Sequence, residues 1–265
     1  MRLSAYIGGV GVLGPGLHNW PHAAEVLTGK QPYLAAPTVL PTPAMLPPAE
    51  RRRTGRVVKL ALAVALEATA SADADPTSLP SVFSSSGSDG HICHEICQAL
   101  ALSTREVSPT RFSNSVHNVA AGYWSIATGS MAESNVLCAF DASFIAGLLD
   151  ALTQVAVDRQ SVLLVAYDSE YPAPLHAKRP IPDALGVAMV LAPERNATSM
   201  ARIDLTLTDE TYENMSDPQL EALRGAIPAA RSLPLLRLLA VGLPGRAILD
   251  YLDVSRAAVQ IEPCR

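Results

Sequence analysis

The run Ser161-Val162-Leu163-Leu164-Val165-Ala166-Tyr167 is apolar from its second residue to its last, with no polar alternation. A strand of that composition needs cover on both faces. Residues 3–13 are small, apolar and punctuated by glycine, and read as another buried strand. Leu79–Ser85, Asn135–Phe140, Leu185–Leu191, Ala201–Leu207 and Ala257–Ile261 read as further strands. Between them fall helical patterns. Asn19 to Gly29 carries an N-cap at Asn19 and a stop at Gly29. Residues 49–72 place Val57, Leu60, Ala61, Val64, Ala65 and Ala68 at three- and four-residue spacing, one apolar stripe. Asp89–Leu102, Asn114–Gly129, Ala142–Asp158, Pro218–Gly225 and Leu233–Leu239 also read as helices. Five prolines within residues 37–48 predict an extended loop there, and a second proline cluster, Tyr171 to Pro182, separates two apolar runs. Strands alternating with helices point to an α/β layered fold.

With 265 residues the chain makes one large domain or two small ones. At 49% hydrophobic and 17% charged residues it can bury a sizeable core, which excludes a disordered chain. A net charge of −5 leaves no basic surplus for a run of phosphates, so nucleic acid is not an expected partner. Four cysteines in a chain of this length make no disulfide framework. The N-terminus has no sustained apolar segment, and no stretch reaches about 18 uninterrupted apolar residues. The expectation is a cytoplasmic protein without a membrane span.

Several motifs invite chemistry. Gly9 to Gly14 satisfies G-x-G-x-x-G, but Pro15-Gly16 follows where a phosphate-binding helix would begin, and no acidic residue closes a second strand. It reads as a glycine-rich strand and turn, and no cofactor is expected. Cys93, His94 and Cys97 are spaced for one helix face, yet no second Cys/His cluster exists to complete a zinc site. The expectation is no metal and a buried cysteine-bearing face. Ser84 to Gly90 reads as a turn in which Asp89 caps the next helix. No G-x-S-x-G elbow occurs. In Asn135 to Phe144 an apolar strand runs into a small-residue turn and a helix, where a nucleophile would gain from the helix dipole. Cys138 falls inside that strand and reads as a buried core thiol.

The succession of these segments resembles the N-terminal domain of the β-ketoacyl synthases, of the thiolase-like superfamily. Val10 to Gly16 looks like the family's opening strand and turn, and Trp20 through Gly29 like its first helix. Arg51-Arg52-Arg53 leading into Leu60 to Ala63 resembles its arginine-led helix. Ser108 to Phe112 followed by Asn118 and Gly122, Ala142-Ser143 followed by a helix and Ser161–Tyr167, and Leu185 to Leu191 match later segments in order. The resemblance implies a thiolase-like fold, a mixed sheet flanked by helices, as a single half. By the same resemblance, residues 1–192 are expected to be family-like and 193–265 a divergent C-terminal cover over one truncated domain, 1–265.

The departures bear on function. The family's cysteine precedes Ala-Ser at the strand-to-helix turn, and the matching position here is Asp141. A carboxylate cannot hold an acyl chain as a thioester. The family's two histidines belong to a C-terminal half, whereas the last histidine here is His176. Such a chain resembles a chain-length factor, a non-catalytic subunit that pairs with an active synthase. It looks most like the short factors of aryl polyene and xanthomonadin-type pigment clusters. The implied partners are a β-ketoacyl-ACP synthase and an acyl carrier protein, with a homodimer possible in isolation. The implied interface and tunnel residues are Phe112, His117, Tyr123, Trp124, Val136, Leu137 and Phe140. The alternative is an independent acyl-thioester enzyme using Cys138 or Asp141.

Overall fold

The computed structural model describes residues 2–264. In chain order the strands are β1 (Arg2–Leu13), β2 (Ser81–Ser84), β3 (Ser134–Leu137), β4 (Val162–Asp168), β5 (Leu185–Ala192), β6 (Ala201–Thr208), β7 (Gly245–Asp250) and β8 (Arg256–Pro263). The helices are α1 (Trp20–Leu27), α2 (Pro48–Arg51), α3 (Arg56–Ser71), α4 (Gly90–Ala101), α5 (Pro109–Asn114), α6 (Val119–Thr128), α7 (Ser143–Asp158), α8 (Pro218–Ala226) and α9 (Leu233–Val241). The strands form one mixed eight-stranded sheet in the order β3-β2-β4-β5-β1-β6-β8-β7. β2 runs parallel to β3 and β4, and the remaining pairings are antiparallel.

The two-faced burial expected of the Ser161–Tyr167 run is realised in β4, which is buried along its length. Val162, Leu164 and Ala166 enter one core, and Leu163, Val165 and Tyr167 the other. The first core holds α1, α7 and α9 together with the 3-10 turn Pro228–Ser232; the second holds α3 and α6. β1 keeps its larger side chains on the α7 side through a bulge. Leu3, Ala5 and Ile7 face that core, and after a register shift between Ile7 and Gly9 so do Val10 and Val12. Gly9 and Gly11 then face α3 so closely that a Cβ on Gly9 would meet Ala68 O at 2.2 Å, and one on Gly11 would meet Val64 O at 2.1 Å. The G-x-G pair therefore serves helix-on-sheet contact, in line with the strand-and-turn reading.

Several boundaries differ from expectation. The 49–72 helix is two, α2 and α3, interrupted at Arg52–Gly55, with Gly55 in extended backbone as the N-cap of α3. The expected 114–129 helix starts later, as α6 at Val119, and a separate short helix, α5, ends at Asn114 before it. The expected 135–140 strand ends at Leu137, because the chain turns there into a 3-10 segment, Phe140–Ala142. β7 was not among the expected strands. Its first residue is Gly245, just after Pro244, a signal more typical of a turn.

Residues beyond 192 contribute to both layers. β6, β8 and β7 extend the sheet, while Leu220, Ile227, Leu233 and Leu236 pack into the core beneath α1 and α7. Phe140–Asp158 is long and apolar enough to cross a membrane, with mean hydropathy 1.4, but half of it is buried inside the fold. Phe144, Leu148, Leu152 and Val155 form its core face, the pattern of a central helix in a layered fold.

Candidate functional site at the strand-to-helix turn

The turn between β3 and α7 is built by one serine. Ser143 Oγ donates to Phe140 O at 2.6 Å and accepts from Ala139 N at 3.0 Å, and Ala142 N donates to Ala139 O at 2.9 Å. The tight closure forces Phe140 to φ +53°, a conformation bulky residues rarely adopt. Asp141 is thereby presented at the tip, directly before α7.

Its carboxylate is not free. Arg179 Nη2 donates to Asp141 Oδ1, and Arg231 Nη2 lies 3.6 Å from Oδ2. Arg231 also faces Asp250 at 3.4 Å, and Asp250 faces Arg256 at 3.7 Å. The chain of alternating charge ties the turn to the 169–184 loop, the Pro228–Ser232 turn and the β7–β8 hairpin. Arg179 stacks as well, its guanidinium carbon 3.9 Å from the Phe140 ring centroid. A cavity of about 260 Å³ lies between Asp141, Arg179, Pro228 and Arg231. An open cleft of about 740 Å³ reaches from Phe140 and Asp141 to Asp250 and Arg256. One oxygen of Asp141 accepts from Arg179 and the other faces Arg231, and these positive neighbours oppose its use as a nucleophile or a base.

Behind the turn, Asp168 ends β4. It accepts from Ser86 N at 2.8 Å, from Ser86 Oγ, and from Ala229 N at 2.9 Å. Burial pushes its carboxyl up to about 6, against the pull of these three donors and of Arg179. Ser84 Oγ donates to Ser143 O, so the serine loop is tied to the start of α7 as well. Asp89 caps α4 as expected, accepting from His91 N at 3.0 Å and Ile92 N at 3.1 Å. Tyr171 covers that helix end, since a Cβ on Gly90 would meet its ring at 2.3 Å. The helix N-terminus is capped and covered rather than open to an anion.

The cysteines are placed otherwise than expected. Cys138 follows the end of β3 instead of lying within it, and its side chain is exposed, with Sγ 3.3 Å from Ser86 O. The early end of β3 moves it out of the core. Cys93 and Cys97 are exposed too, because among the residues of α4 only Gly90 is buried. Partial desolvation beside its helix neighbours, and the Cys97 thiol, nevertheless raise the Cys93 pKa. Among the described residues no group of three or more His, Cys, Asp or Glu converges as a metal site.

The remaining expected site residues divide by exposure. Phe112 is 65% and Phe140 62% exposed, while Val136 and Leu137 are half-buried. His117 is half-buried just before α6, with Nε2 lacking a partner. Tyr123 is buried, its hydroxyl 3.4 Å from both Glu50 and Asn114 side chains. Trp124 is only 1% exposed and belongs to the α3–α6 core, so it offers a partner no surface. Phe140, by contrast, is no core residue. The arginines of the Asp141 network carried no sequence signal, because each reaches the turn from a different segment. Asp168 had a faint one, as the acidic end of a fully apolar strand.

The sequence matches the model of the family "Beta-ketoacyl synthase, N-terminal domain" over residues 20–237. No curated protein matches significantly. Among solved structures, the complex of the ketosynthase ApeO with its chain length factor ApeC from Xenorhabdus doucetiae is similar, at TM-score 0.73 and 22% identity. That alignment covers 97% of this chain and 99% of the other. The ishigamide ketosynthase/chain length factor is similar at TM-score 0.73 and 13% identity, covering 99% and 100%. A β-ketoacyl synthase from Burkholderia phymatum STM815 gives 0.67 and 12%, covering 100% of each chain. The fold is that of the thiolase-like synthases, and with the family match spanning well over half its length, the chain belongs to the β-ketoacyl synthases through their N-terminal domain.

Proposed function

We propose that this chain is a chain-length-factor-like subunit that pairs with an active β-ketoacyl-ACP synthase in the cytoplasm and forms part of the wall of its acyl or polyene tunnel. The observation that carries the reading is Asp141: the family's nucleophile position holds a carboxylate engaged by Arg179 and Arg231. A synthase site neutralised in this way needs its thiol and histidines from another chain. Similarity to chains from complexes of a ketosynthase with a chain length factor supports the pairing. Phe112, His117, Val136, Leu137 and Phe140 would meet the partner, and the acyl carrier protein would approach the pair.

Cys138 gives the second reading its specific support, because it is an exposed thiol at the entry to the turn, three residues before Asp141. Coexpression with a β-ketoacyl-ACP synthase, size-exclusion chromatography and an elongation assay separate the two. The subunit reading expects a heterodimer, elongation by the pair only, and no change with Cys138→Ser. Elongation by the chain alone, abolished by Cys138→Ser, overturns it.

A further inference from the structure

On the α3 side of the sheet, beneath the proline-rich loop, lies an open cavity of about 550 Å³, within the range of small-molecule sites. One wall is a single face of α3, formed by Lys59, Leu62, Ala63, Leu66 and Glu67. The facing wall comes from Val39, Pro41, Pro43 and Met45 of the loop. Val39 is 76% and Met45 47% exposed, so the loop presents apolar surface that this chain leaves uncovered.

The cavity is pre-formed. Arg51 Nη2 donates to Ala44 O and Leu46 O, each at 2.9 Å, which holds one end of the loop. Thr38 holds the other, through Asp183 and Ala184 at 2.7 Å each. Five prolines restrict the backbone between and beside these anchors.

The two ends of the α3 stripe differ in chemistry. The Glu67 carboxylate accepts from Val12 N at 2.9 Å and Trp20 N at 2.6 Å. Burial raises its pKa while these two donors pull it down. Both its oxygens are thus engaged with main chain. About 12 Å along the helix axis, the Lys59 ammonium lines the same cavity and makes no ion pair or hydrogen bond among the described residues. Between the two, the cavity face of α3 carries only Leu62, Ala63 and Leu66, while His18, Asn19 and Thr42 add polar atoms to the other walls.

We propose that this cavity binds a linear aliphatic molecule with an anionic head group, of the class of medium-chain carboxylates. The head pairs with Lys59, and the chain lies along Leu62, Ala63 and Leu66 beneath Val39 and Met45. The site lies on the sheet face opposite α7 and shares no lining residue with the cavities at Asp141. It therefore stands or falls apart from the pairing with a synthase.

Isothermal titration of the full chain with octanoate and octylamine below their micellar concentrations, and with 1-octanol below its solubility limit, tests the assignment. Octanoate is expected to bind about fivefold tighter than octanol, with octylamine weakest. Lys59→Met removes the preference for octanoate and leaves octanol binding in place. Ala63→Phe fills the cavity and abolishes both. Absence of octanoate binding, equal affinity for octanoate and octylamine, or a preference that survives Lys59→Met overturns the proposal. Lys59 is half-exposed, so its substitution reads out head-group recognition even if Ala63→Phe folds poorly.

Discussion

A Cβ on Gly11 would lie 2.1 Å from Val64 O and 2.9 Å from Val64 C, both backbone atoms of α3. Neither can rotate away, so Gly11→Ala has to push the helix off the sheet. It is expected to cost about 2–4 kcal/mol of stability in urea denaturation. Gly122 in α6 has nothing within 4 Å of its Cβ position, and Gly122→Ala is expected to gain up to about 1 kcal/mol from helix propensity. Equal effects of the two would remove the close-approach account of the G-x-G pair. That pair was readable because Pro15-Gly16 left no helix for a phosphate. Cysteine burial was not readable. Cysteine is on average among the most buried residues, but Cys93, Cys97 and Cys138 take their exposure from how α4 and the β3 end sit. Asp141 was matched to the family's nucleophile position by residue resemblance alone, whereas the arginines that engage it come from residues 179 and 231 and share no local spacing.

Element types were more legible than element ends. The strong signals, such as the β4 run and the apolar stripe of α3, come from burial on a repeating face. The ends follow from local events: an extended Gly55, and the Ser143-closed turn that shortens β3. Asp168 joins three such segments, the end of β4, the serine loop and the Pro228–Ser232 turn. Its folded pKa of about 6 lies above the ordinary value of 3.8. Between about pH 4 and 6 the unfolded chain has therefore lost this proton while the folded chain keeps it. Stability contributed by the protonated group is present below that window and falls as pH rises through it, by about 3 kcal/mol in total. Asp168→Asn carries no such titration. The stability difference between wild type and Asp168→Asn, followed by urea denaturation from pH 4 to 7, should move against wild type as pH rises. A difference that stays flat would mean Asp168 is ionised throughout.

At the scale of the molecule, β2, β4, β5 and the second half of β1 are covered on both faces, and one sheet edge matters. β3 is the last strand on its side, and an uncovered edge offers unpaired main-chain groups to another chain. Glu133 O and Leu137 O accept from Ser81 N and Ser85 N of the neighbouring β2 segment. Alternation along a parallel ladder then turns the Ser134 and Val136 main-chain groups toward the open edge. The segment leading to that edge also carries exposed Leu102, Phe112, Ile126 and Met131, and Phe140 follows it. Apolar side chains beside free donors and acceptors suit a subunit that completes its sheet with a partner. Val136→Pro removes one edge donor without touching the bonds to β2, since proline is tolerated where its nitrogen faces outward. The variant is expected to keep the wild-type circular dichroism spectrum and thermal midpoint while losing about tenfold or more in affinity for the synthase subunit. Ser81→Pro, on the inner strand, should instead disrupt the fold itself. If Val136→Pro binds the synthase as tightly as wild type, pairing runs through another surface, and the exposed aromatic residues at Phe112 and Phe140 become the next positions to substitute.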